Sequence, residues 1–171
     1  MEKNAKTPAE TRTIMTNIVL PNETNALGNM FGGELLSRMD RAAAIAAQRH
    51  SESTVVTASV NHVSFKYPIP QGGVVVVEAK VSRVFSTSME IYCDVRLDNP
   101  ITKEKIHTNE GIYTFVAVDK NNKPVAVPES EPETELEIGR YEAALRRKEL
   151  SLILSGRMKP TDSVELKKLF V

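Results

Sequence analysis

At 171 residues the chain is long enough for one domain with a buried core and a tail. Lys and Arg together number 22, as do Asp and Glu, so the basic excess of a nucleic-acid footprint is missing, and with no Trp and 5% aromatics a base-stacking platform is not expected. One cysteine, Cys93, permits no internal disulfide, no apolar leader opens the chain, and no apolar run nears the roughly 20 residues of a membrane span, so a soluble, cytoplasmic protein is expected.

Met1 to Glu10 is polar and reads as a disordered arm. Thr11 to Leu20, rich in Thr, Ile and Val, reads as a first strand, and Pro21 to Asn29 as a loop. A helix is expected from Gly33 to about Arg49, because Ala42, Ala43, Ala44, Ile45, Ala46 and Ala47 form a strongly helix-prone run. Its small side chains suit a helix wrapped closely by a sheet. Strands follow over Thr54 to Phe65 and Val74 to Val84. Met89, Ile91, Cys93, Val95 and Leu97 then alternate strictly with polar residues, the pattern of a half-buried strand. Lys105 to Val118 is the last long strand. Short turns between successive strands require antiparallel pairing, so the fold class is α+β, a long antiparallel sheet around one helix. After Pro128 the acidic stretch Glu129 to Glu137 leads into a second helix, Leu136 to Leu154, and a tail. The division is an arm over 1–10, a domain over 11–128 and a C-terminal helix with tail over 129–171.

Three features could serve acyl transfer or hydrolysis. Asn25 sits in the loop before the helix. Gly32 and Gly33 leave bare N–H groups at the positive helix end, a place for an anionic oxygen. Asp40 lies mid-helix, on a face otherwise made by Leu36, Ser37, Ala43 and Ala44, where a carboxylate needs partners. Pairing with Arg38 or Arg41, or a turn to solvent, explains Asp40 equally well on this evidence. Cys93 falls on the apolar face between Ile91 and Val95 and reads as an inert buried thiol. His50, His62 and His107 have no metal-ligand spacing, and neither a Gly-x-Ser-x-Gly elbow nor a phosphate loop occurs.

The run Thr24-Asn25-Ala26-Leu27-Gly28-Asn29-Met30-Phe31-Gly32-Gly33, followed by Leu36-x-x-Met39-Asp40-x-Ala42-Ala43, resembles the hotdog-fold acyl-CoA thioesterases, in particular the YciA-like bacterial enzymes and the brain-type acyl-CoA hydrolases. Val60 to Pro70, Val84 to Ser88 and Tyr113 to Asp119 support the resemblance, which spans about Thr11 to Pro128. It implies a sheet wrapped on a central helix, dimers that assemble as a trimer of dimers, and sites shared between two chains, Asn25 from one and Asp40 from the other. It implies hydrolysis of acyl-CoA to acid and CoA without a metal or other cofactor. Gly33 N–H would then stabilise the oxyanion, Asp40 act as general base or nucleophile, and Asn25 orient water or carbonyl. Lys66, Arg83 and the turn Ser86-Thr87-Ser88 are the candidates for holding CoA phosphates. Two other readings remain at this point: a hotdog hydratase or dehydratase, against which no His lies near Asp40, and a non-catalytic acyl-CoA-binding protein.

Overall fold

The computed structural model describes residues 4–169. The chain divides into two compact units, Met1–Glu131 and Pro132–Val171. The first holds α1 (Pro8–Thr11), β1 (Thr13–Ile18), α2 (Gly32–Ser51), β2 (Thr54–Phe65), β3 (Val74–Phe85), β4 (Ser88–Asp98) and β5 (Lys105–Val118). All strand pairs are antiparallel and the sheet order is β1-β3-β4-β5-β2. β1 and β2 are therefore the edges.

The segment expected to be a disordered arm instead carries structure from Lys6 onward, while residues 1–3 lie outside the described residues. Lys6 bridges Ser130, and its Nζ donates to Glu52 Oε1 at 2.6 Å. Thr7 and Glu10 form a capping box on α1, in which the Thr7 hydroxyl accepts from the Glu10 N–H and the Glu10 carboxylate accepts from the Thr7 N–H. A short polar sequence is ordered here by caps and tertiary bonds, which composition does not reveal.

α2 lies on the inner face of the sheet. Ala42, Ala43, Ala46 and Ala47 are fully buried beside Met39, and face Val77, Ala79, Ile91, Tyr113 and Phe115 in one core. The approach is close. A methyl added at Gly111 on β5 would stand 2.5 Å from Met39 Cε. A leucine at the fully buried Ala46 would overpack this core, a change that typically costs about 1–3 kcal/mol. The helix ends at Glu52, whose left-handed φ of 53° lets its N–H reach Gln48 O. Arg49 in the last turn suits the negative end of the dipole.

The second unit contains α3 (Glu135–Leu154), opened by a Thr134–Glu137 capping box. The tail after it, left undecided by the sequence, folds back on Glu149. That carboxylate accepts from Ser163 Oγ at 2.7 Å and from the N–H groups of Val164, Glu165 and Leu166. Burial alone would push Glu149 up, but these four donors hold it down at about 2.

Candidate active site

The Asn25 loop is organised by its own side chain. Asn25 Oδ1 accepts from Leu27 N–H at 2.9 Å and Asn29 N–H at 3.2 Å, and Asn25 O accepts from Gly28 N–H at 2.9 Å. This Asx-type turn needs φ of +72° at Gly28, a value suited to glycine. Met30 N–H donates to Ile69 O at 2.7 Å, which fastens the loop to the segment before β3. With Oδ1 committed to the loop, the Nδ2 amide is the group Asn25 can offer to a ligand.

Phe31 is the residue before α2, and it supplies no side-chain cap. The N–H groups of Gly32, Gly33 and Glu34 therefore have no acceptor within the helix. Nothing lies within 4 Å of where a Gly33 side chain would start, whereas Gly32 is covered by the Phe65 ring at 3.2 Å. A cleft of about 270 Å³ opens at this helix end, lined by Asn25, Gly32, Phe65, Lys66 and, on its apolar floor, Met30, Leu35, Ile69 and the polar Asn109. Gly33 is beside the cleft rather than on its wall. Lys66 reaches the cleft with Nζ 2.9 Å from Glu110 Oε1. That hydrogen bond holds the Glu110 carboxyl below its ordinary range against the opposing effect of burial.

Asp40 is elsewhere. Neither arginine next to it in sequence is its partner. Arg38 is buried and spans 2.7 Å to Glu23 and 3.2 Å to Ile18 O, and Arg41 Nε donates to Ser37 O at 3.1 Å. Asp40 Oδ1 instead accepts from the hydroxyl of Thr57 on β2 at 2.9 Å. Seventeen residues separate the two, and sequence reading missed the Thr57 contact. The signal available was a polar residue on a strand facing the helix, but β2 shifts register between Thr57 and Ser59 and again between Asn61 and Val63, so alternation could not place it. Near Asp40, Tyr113 donates to Leu36 O at 3.1 Å. Burial above all, with smaller contributions from Cys93 and then Asp40, pushes its hydroxyl up, so it stays a donor.

Arg83 and the Ser86-Thr87-Ser88 turn are not on the cleft. Arg83 stacks 5.7 Å over Phe85 towards the far end of β3, roughly 20 Å of strand from Val77, which is level with Asn109 of the cleft through Val95. The sheet register sets that turn level with Asp40: Ser88 and Met89 pair with Val116 and Phe115, which pair in turn with Val56 and Thr57. One chain thus holds two groups of candidates, Asn25, Gly32 and Lys66 at one level, and Asp40, Thr57 and the β3–β4 turn at another. Cys93 is fully buried with Sγ 3.8 Å from Met39 O. Asp94 on β4 and His107 and Glu110 on β5 bring three possible metal-ligand atoms within 4.8 Å of one another. Glu110 there is already bound to Lys66 and Tyr92, which makes the group an ion-pair network.

The family model described as the thioesterase superfamily matches residues 27–103. A Bacillus subtilis protein described as an uncharacterized acyl-CoA thioester hydrolase is 40% identical over 81% of this chain and 80% of its own length. A hexameric acyl-CoA thioesterase solved in the apo state is 43% identical with a TM-score of 0.83, over 86% of this chain and 94% of its own. The acyl-CoA hydrolase of Staphylococcus aureus, solved with butyryl-CoA, CoA and CoA disulfide, is 33% identical with a TM-score of 0.84, over 90% and 95% of the two chains. That enzyme is also known as Asp→Ala, Thr→Ala and Asn→Ala variants, the last with CoA bound. The chain belongs to the thioesterase superfamily, among its hotdog-fold acyl-CoA thioester hydrolases.

Proposed function

We propose that the protein hydrolyses acyl-CoA thioesters to a carboxylic acid and CoA at sites made by two copies of the chain. The observation that carries this is the separation along α2. Gly33 and Asp40 share a helix face seven residues apart, which puts about 10 Å of helix between them. That is too far for one carbonyl to receive the helix donors and the base from the same chain. β2 is an edge strand with Val56, Val60 and Phe65 exposed. Pairing it antiparallel with a second β2 covers that edge. The reversal sets the Phe65 end of one copy beside the Thr57 end of the other, so that Asp40 of one approaches the cleft of its partner.

In the assembled site the Gly33 N–H stabilises the oxyanion, a contribution of about 2.7–4 kcal/mol for a single donor in a well-studied hydrolase. Asn25 Nδ2 orients carbonyl or water. Thr57 fixes Oδ1 of Asp40 and leaves Oδ2 towards the reaction. Water adds to the carbonyl as Asp40 takes its proton, and the adduct collapses as the C–S bond breaks; or the Asp40 carboxylate adds, the C–S bond breaks to leave a mixed anhydride, and water then opens it. In both routes the CoA thiolate leaves and takes up a proton. Single turnover in ¹⁸O water tests the anhydride route, because label in Asp40 arises only when water opens an anhydride at the Asp40 carbonyl carbon. Base, donors and nucleophile are all supplied by the chain and water, so no metal or cofactor is required. Lys66 from one copy and Arg83 with Ser86, Thr87 and Ser88 from the other hold the CoA phosphates in this reading. In the Staphylococcus aureus enzyme the substituted Asn and Asp are 15 positions apart and the Asp and Thr 17 apart, the separations of Asn25, Asp40 and Thr57 here. The hexameric relative supports a trimer of dimers. Among the described residues no helix is long and apolar enough to cross a membrane, and the cytoplasm, where acyl-CoA is made and used, is the proposed location.

Mixing inactive Asn25→Ala and Asp40→Ala proteins tests the shared site. Random reassembly leaves one intact site in each mixed dimer, so about a quarter of wild-type activity returns. No recovery, with mixed dimers demonstrated by differently tagged subunits, overturns the arrangement.

A further inference from the structure

Asn109 on β5 is fully buried and belongs to the lining of the cleft with Met30, Leu35 and Ile69. Its Nδ2 donates to Ser64 O at 3.1 Å. That bond fixes the amide, because the opposite orientation would set two oxygens against each other. Oδ1 is then left buried with no donor. Burying an acceptor unmet is costly, and such groups are rare unless they serve a purpose. A hydrophobic side chain would fill this position more cheaply. The cleft volume of about 270 Å³ is below that of a site for a whole drug-sized ligand, so it takes one portion of an acyl-CoA.

We propose that Asn109 Oδ1 is a specificity-determining acceptor that reads a hydrogen-bond donor on the thioester substrate, an acyl hydroxyl beside the reacting carbonyl in the first instance. The inference rests on the thioesterase reading and names the substrate class within it: short acyl groups carrying an O–H or N–H donor. A pocket that buries an unmet polar group discriminates against analogues lacking the partner far more strongly than an apolar pocket discriminates by size. The amide N–H groups of the pantetheine arm carry the same chemistry and are the second possible source.

The test compares kcat/KM of wild type and Asn109→Leu on 3-hydroxybutyryl-CoA, butyryl-CoA and the butyryl thioester of a simple alkanethiol without amides. Wild type is expected to favour the hydroxylated ester by about tenfold, and Asn109→Leu to abolish that preference, its kcat/KM falling about tenfold more on the hydroxylated ester than on butyryl-CoA. An equal loss on both CoA esters, with none on the amide-free ester, moves the donor to the pantetheine arm and keeps the acceptor role. Where Asn109→Leu does not fold, wild type decides. A clear preference for the hydroxylated ester, or for CoA esters over the amide-free one that persists in short pantetheine esters lacking the nucleotide, supports the acceptor, and equal kcat/KM on all of them overturns it. Unchanged ratios in a folded Asn109→Leu protein overturn it as well. Absence of hydrolysis of every thioester by wild type overturns the functional reading instead.

Discussion

The cleft at the start of α2 draws its chemistry from backbone: two glycine N–H groups, a loop closed on Asn25, and an uncapped helix end. The Asp40 region draws its chemistry from side chains that meet across elements, a carboxylate on a helix and a hydroxyl on a bulged strand. The first is local in sequence, and its helix N–H donors survive most substitutions because nearly any residue supplies an N–H, while the loop beside them relies on the Asn25 side chain and on glycine at Gly28. The second depends on single atoms at two distant positions. Binding should therefore fail gradually in the cleft, and chemistry should fail sharply at Asp40.

Asp40→Asn is the severest test of that contrast. It keeps size and packing but removes the base, and turnover should drop roughly 10²-fold or more while acyl-CoA binding persists in a folded protein. Near-normal turnover would make Asp40 structural and end the mechanism. Thr57→Val keeps shape and removes the donor to Oδ1, so kcat should fall about tenfold with KM little changed. A change in KM alone would place Thr57 in binding. Lys66→Ala belongs to the other half. It should raise KM severalfold with kcat near wild type, and the effect should shrink for pantetheine esters lacking the nucleotide phosphates.

The smallest effect is expected at the opposite end of α2. His50 is fully buried, its Nε2 at 2.8 Å from Pro128 O and its Nδ1 without a partner. Burial, reinforced by the Lys6 charge and opposed by the Pro128 carbonyl, holds its pKa below the ordinary 6.5. The unfolded chain then binds a proton at a higher pH than the folded one does. Stability from this group is full above 6.5 and declines as pH falls below it. The melting temperature should drop over that range in wild type and less in His50→Gln, with kcat per folded protein unchanged. Equal pH profiles in the two proteins would remove His50 from the account.

The same contrast explains what sequence could convey. The strict alternation from Met89 to Leu97 and the alanine run of α2 are short-range patterns, and both elements form where those patterns lie. The glycine pair and Asn25 are contiguous motifs and fall together at the cleft, apart from Gly33, which stands beside it. Pairings across elements carry no such imprint. Whether Asp40 would choose Arg38, Arg41 or solvent could not be settled from periodicity, and its partner proved to be Thr57, seventeen residues away. Asn109 is invisible for the same reason, since its importance arises from what surrounds it. Lys66 and Arg83 carry the same charge and look alike in sequence, yet the strand register sets them at different levels of the sheet. Order in the N-terminal arm depends on Glu52 and Ser130, neither of them near it in sequence.

Each proposed turnover releases a thiol, and CoA oxidises readily to its disulfide. A protein working beside that couple risks capture as a mixed disulfide, which requires a thiolate that another sulfur can reach. The chain has one cysteine, Cys93, and it is fully enclosed between α2 and the sheet. No exchange with CoA disulfide can begin there unless the helix first lifts from the sheet. The tight alanine packing that seats the helix thus also insulates the protein from the oxidised form of its own product.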